Sequence, residues 1–147
     1  MSTASPAAVT LNPQILGQAE NAHRALLEKV LAGTGLDYPA WVALKLASVG
    51  PTGTGDQLAA RVAAATKLDT AKVTAALDAV IAAGLLESRD GELTPTASGD
   101  DLHRDLSATI ATTLGRVYGQ VSAEDLAVAG RVLATVTAGV NAELAAS

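Results

Sequence analysis

The stretch LDTAKVTAALDAVIAAGLLE, Leu68 to Glu87, constrains this chain more than any other. It predicts one helix, over residues 69–84, with a marked start, a marked stop and a strand leaving it. Asp69 is placed to N-cap, since its carboxylate can accept the orphan N–H groups of a first turn. Val73, Leu77, Val80 and Ile81 recur at helical spacing and predict the buried face. Gly84 follows as the C′ residue, where a missing Cβ lets the chain enter the left-handed region. Leu85 and Leu86 then continue into an extended run. The other face carries Thr70, Lys72, Thr74, Ala75 and Ala79, small and lightly polar.

The remaining chain predicts helices around this one. Asn12 and Pro13 suit the N-cap and first position of a helix of about 20 residues, with Leu11 and Leu16 spaced as a hydrophobic staple. Ile15, Leu16, Ala19, His23, Leu26, Leu27, Val30 and Leu31 form its broad apolar stripe, and Gly33 with Gly35 ends it. That length exceeds what a small domain needs to cover its own core, so part of the stripe is available to a partner. Asp37 opens a second helix containing Trp41, stopped by Gly50-Pro51. Thr54 and Gln57 have the spacing of a capping box for a third, and Thr66-Lys67-Leu68 turns into the central helix. Beyond Gly84, LLESR and ELTP flank Asp90-Gly91, the pair that a type I′ hairpin turn favours. A long helix starts near Thr96 or Ser98. A last one starts at Ser122, with Asp125 spaced as a second box.

Composition excludes several functions. Apolar residues make up 49% of the 147 residues, and they are mostly Ala, Leu and Val, with no Phe, one Trp and two Tyr. Such a core favours close-packed helices. The formal charge of −5 argues against nucleic-acid binding by the whole surface, and leaves room for a local patch of Lys and Arg. No cysteine is present, which removes disulfides, thiolate metal sites and thiol redox chemistry. His23 and His103 are too isolated for a structural metal centre, which takes about four ligands. Asp100, Asp101 and Asp105 suit a helix N-terminus, where the macrodipole favours negative charge. GTGLD and GPTGTG lack the lysine and register of a phosphate loop, and no catalytic triad has a setting. A non-enzyme without cofactor is expected. The N-terminus has no basic segment before an apolar run, and no stretch reaches the roughly 20 apolar residues of a membrane span. The expectation is a cytoplasmic protein that does not contact membrane.

Three segments, in this order, resemble the multiple-antibiotic-resistance regulator (MarR) family. GLDYPAWVALKLASVG is similar to the helix after the family's long first helix. QLAARV followed by LDTAKVTAALDAVIAAGLLE resembles its helix-turn-helix and the Gly-Leu leading into the wing. LTPTASGDDL resembles the start of its long dimerisation helix. The likeness covers roughly residues 12 to 145 and implies a mainly α fold: a winged helix-turn-helix with a short β-hairpin wing and long N- and C-terminal dimerisation helices. It implies a dimerisation helix at 12–35, a DNA-binding lobe at 36–98 and C-terminal dimerisation helices at 99–147, after an N-terminus at 1–11 whose small residues and Pro6 predict a disordered arm. It also implies a homodimer that binds double-stranded DNA at a pseudo-palindromic operator and responds to a small-molecule effector.

Within that frame Thr70, Lys72 and Thr74 are expected to contact the groove, and Lys67 and Arg61 to contact phosphates. Arg89 at the hairpin tip is expected to reach DNA, its rival role being a cross-strand pair with Glu92. A ligand pocket is implied around His23, Arg24, Tyr38, Trp41 and Tyr118, with core packing the competing role for Trp41. The family commonly has arginines along the recognition helix, where Thr70, Ala75, Ala79 and Ala83 stand here. Its wing is usually longer. These departures motivate an alternative: a dimeric winged-helix ligand-sensing or protein-interaction module whose DNA binding is weak or lost.

Overall fold

The computed structural model describes residues 9–147, so most of the arm expected at 1–11 lies outside the described residues. The order is α1 (Pro13–Leu31), α2 (Tyr38–Val49), α3 (Gly55–Thr66), α4 (Thr70–Ala82), β1 (Leu86–Arg89), β2 (Glu92–Pro95), α5 (Ala97–Tyr118) and α6 (Ala123–Ala146). Contacts group the chain into two units, Met1–Ala108 and Thr109–Ser147.

Local chemistry explains where the helices of the first unit begin. Asn12 Oδ1 accepts from the Ile15 N–H at 2.9 Å, and Asp37 Oδ1 from the Ala40 N–H at 3.0 Å. The Thr54–Gln57 box closes in both directions: Thr54 Oγ1 accepts from the Gln57 N–H, and Gln57 Oε1 from the Thr54 N–H. Each such cap contributes about 1 kcal/mol.

The core of this unit lies where α2, α3 and α4 meet the hairpin. Leu44, Val62, Val73, Val80 and Leu86 are its largest fully buried side chains. Burying a side chain of this size contributes about 1.5–3 kcal/mol. β1 and β2 pair antiparallel, Leu86 opposite Pro95 and Arg89 opposite Glu92. Asp90 (φ 54°) and Gly91 (φ 80°) both have positive φ, as a type I′ turn requires. PTGTG reads as plain loop in the sequence, yet its Gly53 carbonyl accepts from the Leu93 N–H at 2.8 Å. This isolated bridge ties the start of α3 to the hairpin.

The N-terminus of α5 is clamped to the end of α4. Thr96 Oγ1 donates to the Gly84 carbonyl at 2.6 Å and accepts from the Gly99 N–H at 3.0 Å. The Thr96 N–H donates to the Leu85 carbonyl at 3.0 Å. Of α1, only Leu31 is buried, and Leu11 and Leu16 both remain well exposed.

The second unit comprises the end of α5 and all of α6. Ser122 caps α6, its Oγ accepting from the Asp125 N–H at 3.1 Å. α6 buries none of its 24 residues. Val128, Val132, Val136, Val140 and Leu144 recur every fourth residue, each exposed by 38–57%.

Candidate nucleic-acid interface

α4 is held by one face and free on the other. Asp69 Oδ1 accepts from the Lys72 N–H at 2.9 Å, which starts the helix. At its end the Gly84 N–H donates to the Ile81 carbonyl at 2.9 Å, and the Leu85 N–H to the Val80 carbonyl at 3.1 Å. With Gly84 at φ 75°, these two bonds make a Schellman stop, and buried Leu85 supplies its apolar contact. The buried face is Val73, Ala76, Leu77 and Val80. Ile81 departs from the expected set, being 42% exposed. At about 100° per residue it lies off the line through Val73, Leu77 and Val80, and the small Ala76 takes the inward position instead.

Between α3 and α4 the turn is three residues, with Lys67 in the left-handed region at φ 60°. Its N–H donates to the Ala63 carbonyl at 2.8 Å, so the conformation ends α3. The Lys67 side chain is exposed, and so are Thr70, Lys72 and Thr74. Thr74 also lines a groove of about 330 Å³ with Asp56 and Ala59 of α3, Asp78 and Ile81 of α4, and Ser88 of β1. α4, the start of α3 and the hairpin therefore share one surface.

Two expected DNA contacts have partners within the chain. Arg61 is half-buried. It donates from Nη2 to the Leu46 carbonyl at 2.8 Å and from Nη1 to the Pro51 carbonyl at 3.0 Å, which binds α3 to the end of α2. A Cβ on Gly50 would lie 1.6 Å from Arg61 Nη2, so the bare glycine leaves room for the guanidinium. Arg89, at the hairpin tip, pairs with Glu87 of its own strand at 2.9 Å, where the sequence suggested Glu92. Residues two apart on a strand share a face. Arg89 is largely exposed and Glu87 partly so, and such a pair contributes little and competes weakly with a phosphate.

Four of the five residues expected to line a ligand pocket lie in the first unit. The Arg24 guanidinium sits 4.8 Å from the centroid of the Tyr38 ring and also pairs with Glu20 one turn earlier. His23 Nδ1 lies 2.7 Å from the Ala19 carbonyl. Trp41 is only 4% exposed and belongs to the core. Tyr118 belongs to the second unit and is exposed. His103, isolated in the sequence, packs against a core residue. It stacks on Trp41 with ring centroids 5.6 Å apart, and no spacing between the two in the chain signals that contact.

No protein-family model matches the chain, and no curated protein matches it either. Solved structures do. Ligand-free NadR superposes with a TM-score of 0.72 at 19% identity, over 88% of this chain and 97% of that one. CouR from Rhodococcus jostii RHA1, bound to p-coumaroyl-CoA, gives 0.70 at 21% identity, over 83% and 88%. The Mycobacterium tuberculosis MarR family protein Rv2887, in complex with DNA, gives 0.66 at 21% identity, over 87% and 98%. At such identities the likeness is one of fold, and the chain has the winged helix-turn-helix fold seen in MarR-family regulators.

Proposed function

We propose that this protein is a dimeric DNA-binding transcriptional regulator whose α4 enters the major groove of a pseudo-palindromic operator. The observation that carries the reading is the free face of α4. It lies exposed beside the hairpin, on a fold shared with a protein solved in complex with DNA. Thr70, Lys72 and Thr74 meet the groove, Lys67 meets a phosphate at the turn, and Arg89 exchanges Glu87 for the backbone beside the wing. Arg61 serves chiefly to position α3 against α2, with its outer N–H groups available to phosphate.

The partner for α6 is a second copy of the chain. In support, a 24-residue helix, roughly 36 Å long, buries no residue and carries an apolar stripe along its length. A two-fold dimer places two recognition helices about 34 Å apart, one turn of duplex. A small-molecule effector acts near His23, Arg24 and Tyr38 of the first unit, with Trp41 as a packed wall. Among proteins of this fold, CouR is described with p-coumaroyl-CoA and Rv2887 with p-aminosalicylic acid. No helix among the described residues is long and apolar enough to cross a membrane, in keeping with action on DNA in the cytoplasm.

The acidic side chains on the same surface favour a second reading, a dimeric sensing or interaction module that binds DNA weakly. Asp56 and Asp78 line the groove, and Glu87 neutralises Arg89. Sedimentation of the purified chain, followed by titration into labelled random duplex at low salt, separates the two. A dimer that binds supports the regulator. A dimer that does not bind supports the module.

A further inference from the structure

The face of α4 farthest from the core is not the threonine flank. At about 100° per residue, the positions opposite Val73, Ala76, Leu77 and Val80 are Ala71, Ala75, Asp78 and Ala82. All four are exposed. Thr74 and Ile81 sit to one side, over the groove shared with α3 and the hairpin, and Lys72 sits to the other. Asp78 is the one side chain on the outermost line that can hydrogen-bond. Among the described residues no ion pair engages it, and its acidic neighbour across the groove is Asp56.

We infer that Asp78 is a specificity-determining residue that accepts a hydrogen bond from the N4 amino group of a cytosine in the major groove. The inference rests on α4 being the recognition helix. Its chemistry follows from what each base presents. An ionised carboxylate only accepts. Guanine and thymine offer acceptors at their major-groove edges, and adenine sets an acceptor beside its amino donor. Cytosine offers the N4 donor with no acceptor next to it. The aspartate stem is a single methylene, so the carboxylate reaches a base only if the helix backbone comes close. Ala75 one turn before and Ala82 one turn after permit that approach. The same unneutralised charge repels phosphate, so it weakens binding to wrong sequences as well as favouring the right one.

The experiment is selection of bound duplexes from a randomised pool by the full chain, by Asp78→Asn and by Asp78→Ala. Circular dichroism confirms that the variants fold. The wild-type half-site is expected to contain a cytosine whose replacement weakens binding roughly tenfold or more. Asp78→Asn moves the preference at that position to adenine, whose N6 and N7 suit an amide. Asp78→Ala loses the preference there and leaves the other positions intact. Identical selected sequences from all three proteins, or one uniform gain in affinity for every duplex in both variants, would overturn the inference while leaving α4 as the reader. Failure of the wild type to bind any duplex at low salt would instead remove the reading on which it rests, and the inference with it.

Discussion

The His103 imidazole of α5 lies stacked on the Trp41 indole of α2, ring centroids 5.6 Å apart and planes 23° apart. His103 Nε2 is buried without a hydrogen-bond partner. Burial holds its pKa below the ordinary histidine value, Lys45 adds charge repulsion, and Asp100 opposes both. The native state thus prefers the neutral ring, whereas the unfolded chain binds the proton near pH 6.5. Stability from this site is complete above about pH 6.5 and declines as pH falls through the lowered native value. Urea midpoints measured at about pH 7.5 and about pH 5.5 are expected to fall with acidity, and His103→Gln to reduce that fall. An undiminished fall in the variant would place the sensitivity elsewhere.

A second test concerns the seam between α4 and α5. A Cβ on Gly99 would lie 2.0 Å from the Leu85 carbonyl oxygen, a backbone atom held in place by the Thr96 N–H. Gly99→Ala is expected to lower stability by about 1–3 kcal/mol, since the helix start must shift away. Gly55→Ala serves as the control: its Cβ would meet nothing within 4 Å. That variant is expected to stay within about 0.5 kcal/mol of wild type. Equal melting temperatures for the two variants would contradict the close approach.

Arg61 and Gly50 make a coupled pair. Arg61→Ala removes two charge-assisted bonds to the Leu46 and Pro51 carbonyls and is expected to cost about 1–2 kcal/mol. Gly50→Ala displaces the same guanidinium and also crowds the Leu46 carbonyl oxygen, which the Cβ would approach to 2.5 Å. The double variant is therefore expected to be less destabilised than the sum of the singles in urea unfolding. Strict additivity would show that the glycine acts through something other than Arg61.

What the sequence made legible is what neighbours in the chain decide. Asn12, Asp37, Thr54 and Asp69 cap the helices they precede, and Gly84 and Asp90-Gly91 take the backbone conformations that their residue types favour. What it hid depends on groups far apart in the chain. Arg61 reads as a surface cation until a carbonyl 15 residues earlier accepts from it. Ile81 reads as core because its spacing is helical, but whether a flank position is covered depends on the neighbouring elements. The Gly53–Leu93 bridge and the Trp41–His103 stack join segments that no local period connects. For the proposed interface, the exposure of Thr70, Lys72 and Thr74 was readable from helical spacing, and that of Ile81 was not. Nor was the Arg89–Glu87 pair, because either Glu87 or Glu92 was within reach of the tip.

On the proposed DNA-binding surface, Lys72 is the basic side chain of α4. Its backbone N–H, not its side chain, serves the Asp69 cap, so truncation spares the helix start. Lys72→Ala is expected to leave the thermal melt unchanged, to weaken binding across sequences, and to reduce the salt slope by about one per recognition helix. Unchanged affinity would mean that α4 is not the reader.

The proposed contact, two copies of this chain on duplex DNA through α4 and the hairpin tip, carries a definite salt dependence. Fluorescence anisotropy with a random-sequence duplex across a salt series tests it most directly. Lys67, Lys72 and Arg89 from each of two protomers predict a log–log slope of about −5, at about 0.9 per neutralised phosphate. Binding with that dependence is the expected result. Absence of association even at low salt, from a chain that sediments as a folded dimer, would contradict the account.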